Sequence, residues 1–167
     1  MRGSGTRAIR DLERAGIPHA LLEYELPPSA LLGRLSHRSY GLEAAEALGV
    51  APARIFKTLI VRADAELAVA IVPADLELDL KRLARALGVR RAAMAEPADA
   101  ERASGYVIGG ISPIGQRRPL RAVLDDSASG FELVLVSAGR RGLQVELAPG
   151  DLARLVDAVI APIARRG

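Results

Sequence analysis

The sequence predicts a single α+β domain with a mixed sheet. Short runs rich in Ile, Leu and Val are separated by tight turns, which is typical of strands that pair as hairpins. Helical segments lie between some of these runs but not after every strand, which favours α+β over a doubly wound parallel fold. The 167 residues are half hydrophobic, enough for one domain with its own core, and we expect that domain to be residues 1–167.

The first half of the chain begins with a short amphipathic helix. Thr6 precedes it and can cap its first turn, and Gly16 stands where a helix ends in a left-handed residue. The elements predicted next are a strand over 19–24, a loop or insertion over 26–38, a helix over 42–48 and a hairpin with strands over 54–62 and 66–72.

The second half continues the alternation of helices and strands. Asp79 can cap a helix that runs to residue 87 and ends at Gly88. The elements predicted after it are a helix over 98–103, a glycine-rich loop over 106–120, strands over 121–125 and 131–137, a tight turn over 138–142, a strand over 143–147 and a closing helix over 151–160.

The composition excludes several classes of protein. The chain has no cysteine, and His19 and His37 alone cannot build a conventional zinc site, so we expect no metal and no cofactor. No apolar run approaches the ~18–20 residues of a membrane span, and no secretory segment opens the chain, so we expect a cytoplasmic protein without a membrane partner. The net charge of +3 permits a polyanionic partner, whereas 3% aromatic residues argue against base stacking on exposed rings.

Lys57 is the first candidate for a functional residue. It lies in an apolar strand and points to the same side as Ile55, Leu59 and Val61. An isolated ammonium on an apolar face is costly, so it must reach a cavity, a partner or a ligand, or extend its head into water from an edge strand. Of 23 basic residues only Lys57 and Lys81 are lysine, which draws attention to the position.

The glycine-rich loop is the second candidate. Residues 109–115 read Gly-Gly-Ile-Ser-Pro-Ile-Gly among apolar neighbours, and glycine lets a backbone approach a ligand closely. Consecutive N–H groups in such a loop can bind an anion or a carbonyl oxygen. The spacing matches neither a P-loop nor a dinucleotide fingerprint, and a purely structural turn is the alternative.

Arginine pairs and one serine complete the list of candidates. Arg117-Arg118 and Arg140-Arg141 lie beside suspected loops and can hold phosphates of a nucleic acid, or can simply be solvated surface. Ser137 ends an apolar strand without a histidine context for a nucleophile, so we expect it to line a cavity or cap the strand.

Three segments together resemble one family. Residues 56–59 (Phe-Lys-Thr-Leu), 109–115 and 137–143 (Ser-Ala-Gly-Arg-Arg-Gly-Leu) occur in the order and rough spacing of the YbaK/EbsC family of aminoacyl-tRNA deacylases. That family is related to the editing insertion domain of bacterial prolyl-tRNA synthetase. The resemblance extends over about residues 6–166. It implies a mixed, partly barrel-like sheet flanked by helices, and removal of a mischarged amino acid from tRNA, typically cysteine from the proline tRNA.

The resemblance also implies roles for individual residues. The catalytic groups would be Lys57, near the scissile ester, and Gly110. The residues implied to bind substrate are Tyr24, Tyr40, Thr58, Gly109, Ile111, Ser112, Ser137 and Gln144. Two departures bear on specificity: Gln144 stands where the family often has Asp, and residues 25–38 differ from the usual sequence and carry extra residues.

The leading hypothesis is a trans-editing deacylase that releases a misacylated amino acid, with cysteine on tRNA(Pro) as substrate, by hydrolysis or substrate-assisted release. Its partners would be aminoacyl-tRNA and prolyl-tRNA synthetase. The first alternative is a non-catalytic module of the same fold that binds tRNA or a synthetase. The second is a hydrolase of a free small ester, which would act without tRNA and with little salt dependence.

Overall fold

A computed structural model describes residues 5–25 and 37–166, with backbone alone for 37–39. Its helices are α1 (Arg7–Ala15), α2 (His37–Leu48), α3 (Leu80–Leu87), α4 (Pro97–Ser104) and α5 (Pro149–Val156), with 3₁₀ turns at Pro52–Arg54 and Asp126–Gly130. Its strands are β1 (Ala20–Glu23), β2 (Phe56–Ala63), β3 (Glu66–Pro73), β4 (Glu77–Leu78), β5 (Ala92–Met94), β6 (Arg121–Asp125), β7 (Val134–Arg140), β8 (Leu143–Leu147), β9 (Ala158–Ala161) and β10 (Ala164–Arg165).

A five-stranded mixed sheet in the order β5-β2-β3-β6-β9 forms the centre of the fold. β2 and β3 form the predicted hairpin, whereas β6 and β9 add in parallel. Alternate residues of β2 enter different clusters: Phe56 and Ile60 face one, Leu59 and Val61 the other. Because both faces are covered, the strand reads as a nearly continuous apolar run, which makes Lys57 conspicuous.

A second, antiparallel sheet in the order β1-β8-β7 packs beside the first. A parallel bridge between Ile55 and Leu135 joins the start of β2 to β7. The predicted α+β class and mixed sheet are confirmed. Within the described ranges, however, the sheets stay separate and do not close into the implied barrel.

Capping explains the boundaries of two predicted helices. The Thr6 side chain accepts a hydrogen bond from the Ile9 N–H at 3.2 Å, and α1 ends at Gly16 in the left-handed region. The Asp79 carboxylate accepts hydrogen bonds from the backbone N–H groups of Lys81 and Arg82. Helix α3 ends at Gly88, which is also in the left-handed region. Both helices therefore begin and end where the sequence predicts.

Other predicted boundaries were wrong. Of the predicted loop over 26–38, residues 26–36 lie outside the described part, and α2 already begins at His37. The turn predicted over 138–142 is shorter, since β7 continues to Arg140 through a bulge after Ser137. The closing helix ends at Val156, because Asp157 adopts φ 55° and the next four residues pair with β6. An apolar run of four residues does not distinguish a helix end from a strand.

None of the helices in the described residues combines the length and the apolar character required to cross a bilayer.

Candidate active site

A small pocket opens at the edge of β2, where the two sheets and the glycine-rich loop meet. In the described part of the chain β5 pairs with β2 only at Val61–Ala63, so the edge beside residues 56–59 borders the pocket instead of another strand. The volume is about 50 Å³. The residues that line it are Tyr24, Tyr40, Gly41, Ile55, Phe56, Lys57, Thr58, Leu59, Gly109, Ile111, Ser137 and Gln144.

Lys57 lies in this wall together with two residues of the glycine-rich loop, Gly109 and Ile111. It is half-buried and pairs with Val72 across the hairpin, which fixes its backbone. Its neighbours Phe56 and Thr58 are buried. Among the described residues that line the pocket, Lys57 is the one with a cationic side chain. The structure thus brings together the lysine and the loop that the sequence singled out.

Two buried polar atoms of the lining have no hydrogen-bond partner among the described residues. They are Thr58 Oγ1 and Gln144 Oε1, in side chains that are 9% and 8% exposed. Buried polar groups are almost always paired, so such atoms mark either a cost to stability or a place for a ligand. The pKa of the neighbouring Tyr24 is raised above its ordinary value of 10.0, chiefly by burial. Hydrogen bonds with the Gly142 backbone and the Gln144 side chain offset part of that rise.

Ser137 joins the pocket wall to the glycine-rich loop. Its hydroxyl donates to the Gly110 carbonyl at 3.2 Å and accepts from the Gly139 N–H at 3.1 Å. The hydroxyl therefore donates its proton to one backbone group and accepts a hydrogen bond from another. His19 interacts with the Ile17 carbonyl at 2.7 Å, and the His37 side chain lies outside the described residues. Ser137 lines the cavity, as expected, and fixes the loop.

Gly110 and Ser112 lie behind the wall and do not line it. The Gly110 N–H donates to the Val107 carbonyl at 2.9 Å, so it is not available to a substrate oxygen. A Cβ at Gly110 would stand 2.7 Å from the Arg140 Cα, so only glycine fits this approach. Ser112 is fully buried and accepts from the Ile114 N–H. These two residues shape the loop, which leaves Gly109 and Ile111 to meet a ligand.

The predicted arginine pairs fall into two places. Arg141 stacks on Tyr40, 4.6 Å from the ring centroid, and donates to Glu43, while Arg140 pairs with Glu23 at 2.8 Å; these two form a rim close to the pocket. Arg117 and Arg118 are exposed beyond the other end of the glycine-rich loop, with backbone N–H groups bonded to α4 carbonyls.

Sequence reasoning missed a basic surface on α1. Arg7, Arg10 and Arg14 are exposed and line a cleft with Asp11, Gly115 and Gln116. The Arg7 guanidinium packs against Gly105, beside Arg117. The spacing of three and four residues places the three arginines on one helix face, but a solvated helix face shows the same spacing. We call Arg7, Arg10, Arg14, Arg117 and Arg118 the arginine face.

No group of three or more His, Asp or Glu side chains in the described ranges is arranged to hold a metal ion.

Comparison with known proteins decides the family. The model of the aminoacyl-tRNA editing domain matches residues 39–155, which include most of the pocket. The chain belongs to the aminoacyl-tRNA editing domain family. The resemblance of the lysine, the glycine-rich loop and the Ser137 turn is thereby confirmed as a family relationship.

Relatives and solved structures agree with this membership. The chain is 39% identical over 159 residues to EbsC of Enterococcus faecalis, a candidate Cys-tRNA(Pro)/Cys-tRNA(Cys) deacylase, covering 95% of this chain and 92% of that one. It is 36% identical to the proline–tRNA ligase of Moorella thermoacetica over 56% of this chain and 18% of the ligase. A crystal structure of a candidate trans-editing enzyme for prolyl tRNA synthetase superposes with a TM-score of 0.81 at 27% identity, with 99% of each chain covered.

Proposed function

We propose that this protein is a trans-editing deacylase that releases a misacylated amino acid from the 3′ end of a tRNA, with cysteine on tRNA(Pro) as a substrate. The observation that carries the proposal is a pocket whose wall contains Lys57, Gly109 and Ile111, in a member of the editing family. Residues 1–167 act as one editing domain, and prolyl-tRNA synthetase is the partner that would supply the charged tRNA.

The chemistry is hydrolysis of an ester. Water attacks the carbonyl carbon, the bond from that carbon to the ribose oxygen breaks, and the ribose oxygen takes a proton, so free amino acid and tRNA result. Negative charge develops on the carbonyl oxygen during attack, and preorganised positive groups stabilise it. The Lys57 ammonium supplies the positive charge. The backbone N–H groups of Gly109 and Ile111 donate to the carbonyl oxygen, in place of the Gly110 N–H that the sequence suggested.

The proton transfers do not need a protein base. Within the described lining the titratable side chains are Lys57, Tyr24 and Tyr40, with neither a carboxylate nor an imidazole. A ribose hydroxyl or a second water therefore serves as base. In the substrate-assisted alternative the cysteine sulfur replaces water: it bonds to the carbonyl carbon, the bond from that carbon to the ribose oxygen breaks, the thiol proton passes to the ribose oxygen, and a cyclic thioester leaves. Lys57 acts as an ammonium that stabilises negative charge and positions the substrate, and it does not act as a general base.

The arginine face suits the phosphates of the acceptor arm. Its members are exposed and belong to one surface around α1 and the end of the glycine-rich loop. Guanidinium groups bind phosphate oxygens in a forked geometry and give binding its salt dependence. Arg140 and Arg141, which already pair with Glu23 and Glu43, hold the pocket rim and lie closer to the terminal nucleotide.

A single substitution tests the proposal. Lys57→Ala should lower kcat/KM for deacylation of Cys-tRNA(Pro) by about 100-fold, because one transition-state charge partner is removed. Lys81→Ala is the matched control: it removes the other lysine, exposed on α3, and should keep the wild-type rate.

Each result has a definite reading. Full activity of Lys57→Ala would contradict the mechanism. Retention of tRNA by the wild-type protein without turnover at high enzyme concentration would instead support the non-catalytic binding module. Turnover of a free amino-acid ester at the same rate as the aminoacyl-tRNA would support the small-ester hydrolase.

A further inference from the structure

Arg141 binds two side chains of helix α2 at the mouth of the pocket. It lies in the turn that joins β7 to β8. Its guanidinium stacks on the Tyr40 ring, 4.6 Å from the centroid, and donates hydrogen bonds of 3.3 and 3.4 Å to the two carboxylate oxygens of Glu43. Tyr40 and Glu43 are three residues apart on α2, so they belong to one helix face. One side chain thus ties the turn to the helix.

The stem of the same arginine packs against the glycine-rich loop. A Cβ added at Gly109 would stand 3.1 Å from the Arg141 Cδ and 3.4 Å from the Tyr40 Cζ, so the Gly109 backbone rests on both side chains. Gly109 adopts φ 95°, which favours glycine, and it lines the pocket together with Tyr40. Arg141 therefore stands between helix α2 and the loop backbone that meets the substrate carbonyl in the proposed mechanism.

Arg141 differs from its neighbour Arg140 in how deeply its ion pair is buried. The side chains of Arg141 and Glu43 are 22% and 7% exposed, whereas those of Arg140 and Glu23 are 45% and 70% exposed. An exposed ion pair is screened by water and salt and does little to fix a geometry. A planar guanidinium that is stacked and bonded in a partly buried place is held in one orientation. Arg141 is therefore suited to holding the loop, and Arg140 to meeting a ligand from solvent.

We propose that Arg141 is a positioning residue for deacylation: anchored by Glu43 and Tyr40, it holds the Gly109 backbone where its N–H meets the substrate carbonyl oxygen. The proposal rests on the deacylase function above and adds a residue that acts through the loop without touching the substrate. A preorganised donor stabilises the developing oxyanion only when it is held in place, and a displacement of about 1 Å can lower a rate about 100-fold. Disturbing Arg141 should slow the chemical step and leave the affinity for tRNA nearly unchanged.

The test is single-turnover deacylation of Cys-tRNA(Pro) with the enzyme in excess at increasing concentrations, which separates the chemical rate constant from the affinity. Arg141→Lys keeps the charge but loses the planar fork and the stacking, so the saturating rate constant should fall about 10- to 100-fold. The half-saturating enzyme concentration should change by less than about threefold, because no contact with tRNA is lost.

Two further variants show whether the Glu43 anchor and the position of Arg141 matter. Glu43→Gln weakens the anchor and should lower the saturating rate constant, and Glu43→Gln with Arg141→Lys should lose no more than the slower single variant, because the two residues act as a unit. Arg54→Lys is the matched control: Arg54 pairs with Glu146 at 2.8 Å, is 25% exposed and lies outside the pocket lining, so it should keep the wild-type rate.

The saturating rate constant does not depend on the fraction of folded enzyme, and urea denaturation gives the fraction by which the half-saturating concentration is scaled. A wild-type rate constant in Arg141→Lys would overturn the positioning role and leave the deacylase function standing. So would a raised half-saturating concentration at an unchanged rate constant, because Arg141 would then bind tRNA directly, or an equal loss in Arg54→Lys. Absence of turnover by the wild-type protein would overturn the deacylase function itself.

Discussion

Two buried polar sites in this molecule differ in how completely they are satisfied. Asp125, at the end of β6, is 3% exposed, and its carboxylate accepts four hydrogen bonds: from the backbone of Ile163 and Ala164, both at 2.9 Å, and from the Ser127 backbone and hydroxyl. Thr58 and Gln144 are buried to nearly the same degree, and each has one polar atom without a partner among the described residues.

The difference lies in what each buried polar site contributes to the fold. The Asp125 carboxylate ties the segment after β9 to the five-stranded sheet, and its hydrogen bonds are complete without a ligand. The two pocket atoms have no hydrogen-bond partner in the described part of the chain, so they contribute no comparable bond to the fold. Burial alone does not distinguish the two sites, whereas the account of hydrogen-bond partners does.

The largest expected effect is on stability at Asp125. Asp125→Ala leaves the backbone N–H groups of Ile163, Ala164 and Ser127 and the Ser127 hydroxyl without their acceptor, so the free energy of unfolding should fall by about 3–5 kcal/mol. Urea denaturation measures it. The neighbouring Asp126→Ala, at an exposed position, should change the same quantity by less than ~0.5 kcal/mol. Similar losses for the two variants would show that Asp125 has no special structural role.

A charge-based version of the comparison concerns the arginines. Arg140 and Arg141 already pair with glutamates, whereas Arg7 and Arg10 line an open cleft. Arg7→Gln with Arg10→Gln should raise KM for aminoacyl-tRNA about tenfold and reduce the slope of log affinity against log salt by roughly two.

The control for this double variant is Arg85→Gln with Arg91→Gln. It removes the same charge from exposed positions on and after α3. An unchanged KM and salt slope in Arg7→Gln/Arg10→Gln, or an equal change in the control, would contradict binding of phosphates at the arginine face.

Tyr106→Phe and Thr58→Val each delete one buried hydroxyl, which is hydrogen-bonded at Tyr106 and has no partner among the described residues at Thr58. The Tyr106 hydroxyl is buried and donates to the Ile114 carbonyl at 2.6 Å, which links the two ends of the glycine-rich loop. Tyr106→Phe should lower the free energy of unfolding by about 1 kcal/mol, because the carbonyl loses a donor. Thermal or urea unfolding measures the change, and a stabilised Tyr106→Phe would refute the bond's structural role.

The same residue predicts a pH dependence. Burial raises the pKa of Tyr106 to about 12, from an ordinary value of 10.0. The unfolded chain therefore loses this proton at lower pH, so the stability that the neutral phenol contributes is complete below pH 10 and is lost as the pH rises towards 12. Wild-type stability should fall more steeply than that of Tyr106→Phe between pH 10 and 12; parallel curves would contradict the raised pKa. Tyr24 is present in both proteins and cancels from the difference.

The smallest expected effect is at Thr58. Thr58→Val removes a hydroxyl that has no partner among the described residues, so the free energy of unfolding should stay the same or rise by up to about 1 kcal/mol. Urea denaturation beside Tyr106→Phe makes a matched pair of isosteric hydroxyl deletions. A loss at Thr58 as large as that at Tyr106 would remove the distinction between the two sites.

The sequence predicted the fold where local chemistry specifies it. Thr6, Gly16, Asp79 and Gly88 marked helix ends correctly, because capping involves residues adjacent in the chain. It failed at 157–161, where an apolar run could continue the helix and instead pairs in parallel with β6. Parallel pairing joins residues distant in sequence, so no local pattern announces it.

For the site, sequence patterns predicted the members better than their placement. Lys57 and Gly109 were found and do share a wall. Gly110 was expected to offer its N–H to substrate, but a turn with Val107 uses that group. The α1 arginines were missed because a solvated helix face and a phosphate-binding face have the same spacing, and only packing against Gly105 and Gly115 distinguishes this one.

By itself, the amino-acid sequence determined the residue types available for chemistry: a lysine in an apolar strand, a glycine-rich loop, no cysteine and a family signature. Only the tertiary structure decided which groups are already bonded. It showed that Ser137, Gly110 and Ser112 form hydrogen bonds within the fold. Thr58 and Gln144 each have one buried polar atom without a partner among the described residues. The physical reason is that hydrogen bonding is satisfied between elements remote in sequence, and the count of partners exists only once those elements have packed.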